Sequence, residues 1–408
     1  MPQQSRRVSA SMSISRSLTP QPAASKSAWH HPTFHAWVQP ANSSPNLLKL
    51  QTRAALAATP CHDARMNVQL GTAIAAPGSR ASGWLAVETA PGEQTQIPVV
   101  VINGGQPGPR LAITAGIHGG EYTGPAALRS LLLSAEAGDP AILANLKGSI
   151  IATLATSPAA FKARSIYVNP QDGKNLNRVY PGSATGSASE RIAHAIATQL
   201  MTGADVYLDL HAGDINEALS PFVGIEQTGD AARDARAVAL GRAVGAEWLL
   251  IGASPGTTTS TAEQLGAIGI LCEFGGQGHV EPEFVARHAA GVRGVIAEMG
   301  MGDFPQSPIE REVGPLNPGA STRLNSEAWL RAEIPADVAG YWHPAVGVGS
   351  VVKKGEKLGE VQGVFGDVLQ TPTAPINGVV IFLVTTLAMN NGDPLLALGG
   401  DPEGGVWP

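Results

Sequence analysis

Short apolar runs alternating with stretches of helical periodicity constrain this chain most. R-L-A-I-T-A (Arg110–Ala115), S-I-I-A-T-L-A-T (Ser149–Thr156), Val206–Leu210, Glu247–Gly252 and Ile268–Phe274 are each too short and too uniformly apolar for amphipathic helices. Between them, Thr123–Leu133, Ser187–Met201, Asp230–Val244 and Glu281–Met299 repeat their apolar residues at helical spacing. Strands buried on both faces and separated by helices of ten or more residues imply an α/β fold with a mostly parallel mixed sheet flanked by helices. Gly83–Glu88 and Gln96–Ile102 add two strands around the turn A-P-G-E.

This pattern begins near Met66 and ends at F-P-Q-S-P (Phe304–Pro308), which reads as a linker. Beyond it come short strands bounded by glycine, V-G-V-G-S-V-V-K-K-G-E-K-L-G-E-V and A-P-I-N-G-V-V-I-F-L-V. The expected organisation is a leader over 1–65, an α/β domain over 66–304, and a smaller all-β domain over 305–408. The β domain's turns resemble the barrel-sandwich of lipoyl and biotinyl carriers. No lysine stands near Ala374–Gly378, where such a carrier would be modified, so a scaffold is expected.

Charge separates the leader from the rest. Residues 1–62 hold six cations (Arg6, Arg7, Arg16, Lys26, Lys49, Arg53) and no Asp or Glu, leaving 21 cations against 33 anions in the remainder. An Arg- and Ser-rich, acid-poor leader suits an organellar transit peptide, a disordered tail, or an upstream start with Met66 as the true beginning. Without a transit peptide a cytoplasmic protein is expected. The acidic remainder disfavours nucleic acid as a partner. No apolar run reaches the roughly 18 residues a membrane-spanning helix needs. Two cysteines exclude a disulfide framework and disfavour a thiolate metal cage. The sequence leaves a homo-oligomer open.

The chemistry-bearing residues gather at strand ends, where open α/β sheets place ligands. G-I-H-G-G-E follows the Arg110 strand. His118 and Glu121, three residues apart at a strand-to-helix turn, can converge on one metal ion. H-x-x-E alone also fits a polar loop. D-L-H-A-G closes the Val206 strand, and His211 would complete a His₂Glu set, a ligand group of catalytic zinc. Asp209, two residues earlier, points to the same side as His211 and can serve as its partner or as a capping residue.

In D-G-K-N-L-N-R-V-Y-P-G, the amide of Asn177 beside the guanidinium of Arg178 suits capture of a carboxylate, although a structural turn has the same composition. Arg164, upstream, is a candidate for polarising a carbonyl or oxyanion. I-L-C-E-F-G-G ends in Glu273, a strand-end carboxylate suited to a general base. Cys272 falls on the opposite face and reads as a buried thiol.

Taken in order, H-x-x-E, N-L-N-R-x-Y-P-G, D-L-H-x-G and a strand-end Glu before G-G resemble the succinylglutamate desuccinylase/aspartoacylase family of the zinc carboxypeptidase superfamily. The resemblance covers residues 100–300 and extends through the β region. It implies a zinc carboxypeptidase-like fold and one Zn²⁺ held by His118, Glu121 and His211. It implies Glu273 as general base and then acid, Asn177 and Arg178 holding a substrate carboxylate, and Arg164 polarising the scissile carbonyl. The Arg164 match departs from the family pattern, because V-N-P-Q-D-G-K separates it from the N-R pair. No tyrosine of the β region can be assigned a role. The implied reaction is hydrolysis of a small amide bearing a carboxylate, such as an N-acylated amino acid. A carboxypeptidase acting on short peptides, a non-catalytic metal-binding module and a Cys272-dependent hydrolase are the alternatives.

Overall fold

The computed structural model of the protein describes residues 66–133, 142, 145–252, 255–302, 304 and 326–400. The expected leader over 1–65 and most of the linker after Phe304 lie outside the described residues.

A mixed sheet forms the centre. Its strands run in the order Ser79–Ala90, Glu93–Asn103, Ser149–Thr153, Arg110–Ala115, Val206–His211, Ile268–Glu273, Phe222–Glu226, Trp248–Gly252 and Ser326–Pro335. The Ser149, Arg110, Val206 and Ile268 strands are parallel to one another. Every residue of the Ser149, Val206 and Ile268 strands is buried, as covering on both faces requires.

Alternate residues of these strands serve separate cores. Ile113, Leu208, Leu210, Ile270 and Cys272 pack with Leu128, Leu240 and Val295 from helices Thr123–Leu133, Ala231–Val244 and Pro282–Glu298. Ala112 and Tyr207 face the other side, against Ile192, Ile196 and Ala262 from helices Ala188–Ile196 and Thr258–Gln264. The helix ends follow local chemistry. Asp230 caps its helix by accepting from Ala232 N and Arg233 N, and Gly245 closes it with a left-handed φ of 82°.

Two differences from the sequence reading matter. The expected helix over Ser187–Met201 is α-helical only over Ala188–Ile196 and widens into a π-turn over Ala197–Met201. There Thr198 and Thr202 donate their hydroxyls to backbone carbonyls of His194 and Ala197. Phe222–Glu226 is a strand the periodicity did not separate, and it lies antiparallel to Ile268–Glu273. It adds to the antiparallel pairing that Ser79–Ala90 and Glu93–Asn103 already bring to the mixed sheet.

The described residues after the linker, 326–400, are strands and turns, as expected. Ser326–Pro335 pairs parallel with Trp248–Gly252 and antiparallel with Pro394–Gly400. Gly378–Val384 continues that sheet, while Gly340–Pro344, Gly359–Gln362, Val368–Gln370 and Ala388–Met389 form a four-stranded one. Their core joins Trp342, Val361, Phe382 and Leu396 to Phe222, Trp248 and Leu271 of the α/β sheet. The segment after His211 is fastened to this region: Glu217–Leu219 pairs with Gly378–Val384, and Thr385 N donates to Asn216 O at 2.8 Å.

Candidate active site

His118, Glu121 and His211 meet where the parallel Arg110 and Val206 strands end side by side, with Ala115 opposite Leu210. The loop that carries His118 and Glu121 lies too close to its surroundings for larger residues. A Cβ at Gly119 would stand 2.2 Å from Ala160 O, and one at Gly120 would stand 2.0 Å from Asp214 Oδ1.

Glu121 lies between the imidazoles. Its Oε1 is 2.6 Å from His118 Nδ1 and its Oε2 is 2.8 Å from His211 Nδ1. The rings meet edge to face with centroids 5.0 Å apart. One donor atom from each residue falls within 4.8 Å of the others, and all three residues are buried.

The far nitrogens settle which ring atoms point inward. His211 Nε2 is 2.9 Å from Asp209 Oδ2, and His118 Nε2 is 3.0 Å from Asn175 Oδ1. Asp209 is a carboxylate. The Asn175 oxygen is identified by its second bond, accepted from Asn177 N at 2.8 Å. Both partners are acceptors, so Nε2 carries a hydrogen on each ring, and each Nδ1 is turned to a Glu121 oxygen, where a metal ion would replace the proton between them. Two imidazoles and a carboxylate converging in a buried pocket, each ring held from behind, fit a divalent ion of the zinc class.

The electrostatics agree. Burial alone would raise Glu121, but His118 and His211 outweigh it and hold this carboxyl well below its usual range. Burial opposes charge on His211, whereas Asp209 and Glu121 pull its affinity for a proton well above normal. A cation between these groups would take the place of those protons.

Glu273 ends the Ile268 strand directly opposite His211. It is buried, and its Oε2 has no hydrogen-bond partner among the described residues. Burial pushes its pKa well above the usual carboxylate value, with His211 opposing. Cys272 points into the apolar core on the other face, where burial raises its thiol. A buried, protonated thiol is a poor nucleophile, which counts against a Cys272-dependent hydrolase.

Asn177 and Arg178 lie in a single 3₁₀ turn, Leu176–Arg178. Asn177 Oδ1 accepts from Thr258 N at 2.8 Å, and Arg178 Nη1 donates to Asn177 O at 2.8 Å. Arg178 Nε is buried without a hydrogen-bond partner among the described residues. Burial lowers the guanidinium's pKa, while Glu333 and Glu273 oppose that shift. Arg178 therefore lies in the field of two carboxylates, one from each side of the linker.

Arg164 stands apart from this group. It is exposed, in the left-handed position that ends helix Pro158–Ala163, and has no ion pair among the described residues. Its turn packs against Gly119 of the His118 loop.

Several residues of this neighbourhood escaped sequence reasoning. Asn175 carried only an Asn-rich signal, and Thr258 sits in the polar run T-T-T-S-T. Glu333 lies in the β region. Tyr167, Asp214 and Glu217 form a buried polar knot. Tyr167 Oη donates to Glu217 Oε1, Tyr167 N donates to Asp214 Oδ2 at 2.8 Å, and Asp214 N donates to Glu217 Oε2 at 2.9 Å. Burial raises Glu217 to about 8 and Asp214 to about 6. Only the placement of Tyr167 at a left-handed φ of 57° marks it as unusual, and that is a property of the fold.

Known proteins resemble this chain in sequence and in fold. The family model for the succinylglutamate desuccinylase/aspartoacylase catalytic domain matches residues 107–299. N-alpha-acetyl-L-2,4-diaminobutyric acid deacetylase of Halomonas elongata is 29% identical over 329 residues, covering 78% of this chain and 87% of that protein. In fold, the chain resembles the succinylglutamate desuccinylase/aspartoacylase of Rhodobacter sphaeroides, with a TM-score of 0.68 at 24% identity, covering 79% of this chain and 96% of that one. The product-bound ectoine utilization protein EutE (DoeB) of Ruegeria pomeroyi gives the same score and identity, covering 79% and 95%. The stretch that carries His118, Glu121, Asn177, Arg178, His211 and Glu273 thus matches the succinylglutamate desuccinylase/aspartoacylase catalytic domain.

Proposed function

We propose that the protein is a zinc-dependent amide hydrolase that removes the acyl group from a small N-acylated amino acid. The observation that carries this reading is the convergence of His118, Glu121 and His211 beside Glu273, whose Oε2 is bare and buried. His118 Nδ1, His211 Nδ1 and a Glu121 oxygen would hold the ion. When bound, it supplies Lewis acidity and lowers the pKa of water.

Glu273 takes the proton of the attacking water and returns it to the leaving nitrogen. Burial raises its pKa, which favours holding a proton between accepting it and giving it back. Arg178, with its unpartnered Nε, binds the substrate carboxylate, and Asn177 sets its backbone. Arg164 stabilises the developing oxyanion from the turn packed on Gly119. The Halomonas relative, named for deacetylating N-alpha-acetyl-L-2,4-diaminobutyric acid, supports an N-acetylated amino acid as the substrate class. The division at residues 304 and 305 belongs to the same reading, with the β region narrowing the pocket through Glu333.

The test is elemental analysis of the purified protein together with acetate release from N-acetylated amino acids, including N-alpha-acetyl-2,4-diaminobutyrate. We expect one zinc per chain and turnover that a chelator abolishes. Turnover that survives complete removal of metal would overturn the mechanism.

A further inference from the structure

Both metal-facing histidines are gripped from behind, and the two grips are connected. On one side, Asp209 accepts from His211 Nε2 at 2.9 Å and from Thr258 Oγ1 at 2.6 Å, both on Oδ2. Its Oδ1 accepts from Thr114 Oγ1 at 2.6 Å. On the other side, Asn175 Oδ1 accepts from His118 Nε2 at 3.0 Å and from Asn177 N at 2.8 Å. Asn177 Oδ1 then accepts from Thr258 N at 2.8 Å. Thr258 thus bonds to both halves, through its hydroxyl to Asp209 and through its backbone to Asn177. A ring closes through Glu121, His118, Asn175, Asn177, Thr258, Asp209 and His211.

The local structure suits Thr258 to this place. It opens helix Thr258–Gln264, and Thr257 caps that helix. A backbone N–H in the first turn of a helix has no carbonyl partner within the helix, so it is available to Asn177. The side chain is fully buried, and β-branching restricts its χ1, so the hydroxyl is held on Asp209. Asn177 adjoins Arg178, whose Nη1 rests on Asn177 O. The carboxylate-binding turn and the rear of the metal ligands therefore share one frame.

We propose that Thr258 is a positioning residue that closes this ring, fixing both imidazoles with Nδ1 inward and tying the Asn177–Arg178 turn to the same frame. The inference rests on the metal-dependent reading above. A residue that merely began a helix would affect stability. A residue that orients ligands changes metal affinity, typically about 10- to 100-fold when such a partner is removed.

The experiment compares the full-length wild type with Thr258→Val, Thr258→Ser and Arg178→Ala, measuring zinc affinity by competition with a chromophoric chelator. Thr258→Val keeps the side-chain shape and deletes only the hydroxyl. We expect its zinc affinity to fall at least about 10-fold. Thr258→Ser should restore it, and Arg178→Ala should leave it unchanged. A Val variant that binds zinc as tightly as the wild type overturns the proposal. A wild type that binds no zinc at all instead defeats the metal reading beneath it. Should the Val variant fail to fold, nitrogen-15 spectra of the zinc-loaded wild type decide the matter. Histidines protonated at Nε2 with Nδ1 coordinated uphold the ring, and an Nδ1–H form of either ligand overturns it.

Discussion

His211 and Glu273 end neighbouring parallel strands, directly opposite each other, yet the chain treats them in opposite ways. Every polar atom of the His211 ring is occupied, Nδ1 by Glu121 and Nε2 by Asp209, and Asp209 is itself held by two threonines. Glu273 keeps a buried oxygen with no hydrogen-bond partner among the described residues. Leaving a buried acceptor bare costs about 1–3 kcal/mol, so folding alone gives no reason to keep a carboxylate there. In the proposed mechanism, the difference separates a group that must stay still from one that must exchange a proton. A ligand gains from partners that remove its freedom, whereas a general base loses its function if a permanent donor occupies its lone pair.

Breaking the held side should have the larger effect. On the proposed reading, His211→Ala removes one of three ligands and leaves Glu121 and Asp209 without the imidazole that separates them. We expect zinc content to fall close to zero and turnover with it, measured by elemental analysis and acetate release on the same sample. Retained zinc would show that His211 is not a ligand. Breaking the free side should spare the metal. Glu273→Gln keeps shape and burial but cannot take a proton. Turnover should drop by about 10²- to 10⁴-fold while zinc content stays at the wild-type value. Unchanged turnover would remove Glu273 from the proton path.

Arg178 sharpens the comparison, because it belongs to neither class. One edge is fastened to Asn177 O and another is buried with Nε unpartnered, in the field of Glu273 and Glu333. Arg178→Ala should cost about 1.5–3 kcal/mol of binding for substrates with a carboxylate, the range of a charged hydrogen bond. This should appear mainly as a raised KM. An equal loss on uncharged N-acetyl amides would argue against carboxylate recognition and in favour of a structural role.

How much of this was legible in the sequence depended on whether a residue's role is set by its own strand or by a distant one. Helix Thr123–Leu133 has the bounds its periodicity indicates. His211, Asp209 and Glu273 could be placed because period-two alternation and strand-end position are local facts. Phe222–Glu226 was missed because it is five residues long, preceded by no helix, and antiparallel to its neighbour. Nothing in F-V-G-I-E distinguishes it from a buried turn. Thr258 was missed for a different reason. T-T-T-S-T signals only a helix start, and its hydroxyl gains meaning from Asp209, forty-nine residues away. Glu333 was invisible because it comes from beyond the linker, and no local pattern announces which strand will bring a carboxylate near Arg178.

The smallest effect concerns the knot beneath the site, and it extends the same contrast to protons. Glu217 is buried, accepts from Tyr167 Oη and Asp214 N, and has its pKa raised by burial to about 8. A carboxyl that binds its proton more tightly when folded contributes stability below its unfolded value, near 4.5, and loses that contribution as pH rises toward 8. In this window the folded protein holds more protons than the unfolded chain, so stability declines with pH, at most by about 1.4 kcal/mol per unit for one proton. Asp214, raised to about 6, adds a smaller decline between its ordinary value and 6. Urea unfolding of the chelator-treated protein between pH 5 and 8 should show this slope in the wild type. It should be much flatter in Glu217→Gln, which keeps an acceptor for Tyr167 and has no proton to lose. A wild type whose stability is level or rises across that range would mean that Glu217 stays ionised. The knot would then be a third kind of carboxylate environment, charged without a cation, and Tyr167 and Asp214 N would have to stabilise that charge alone.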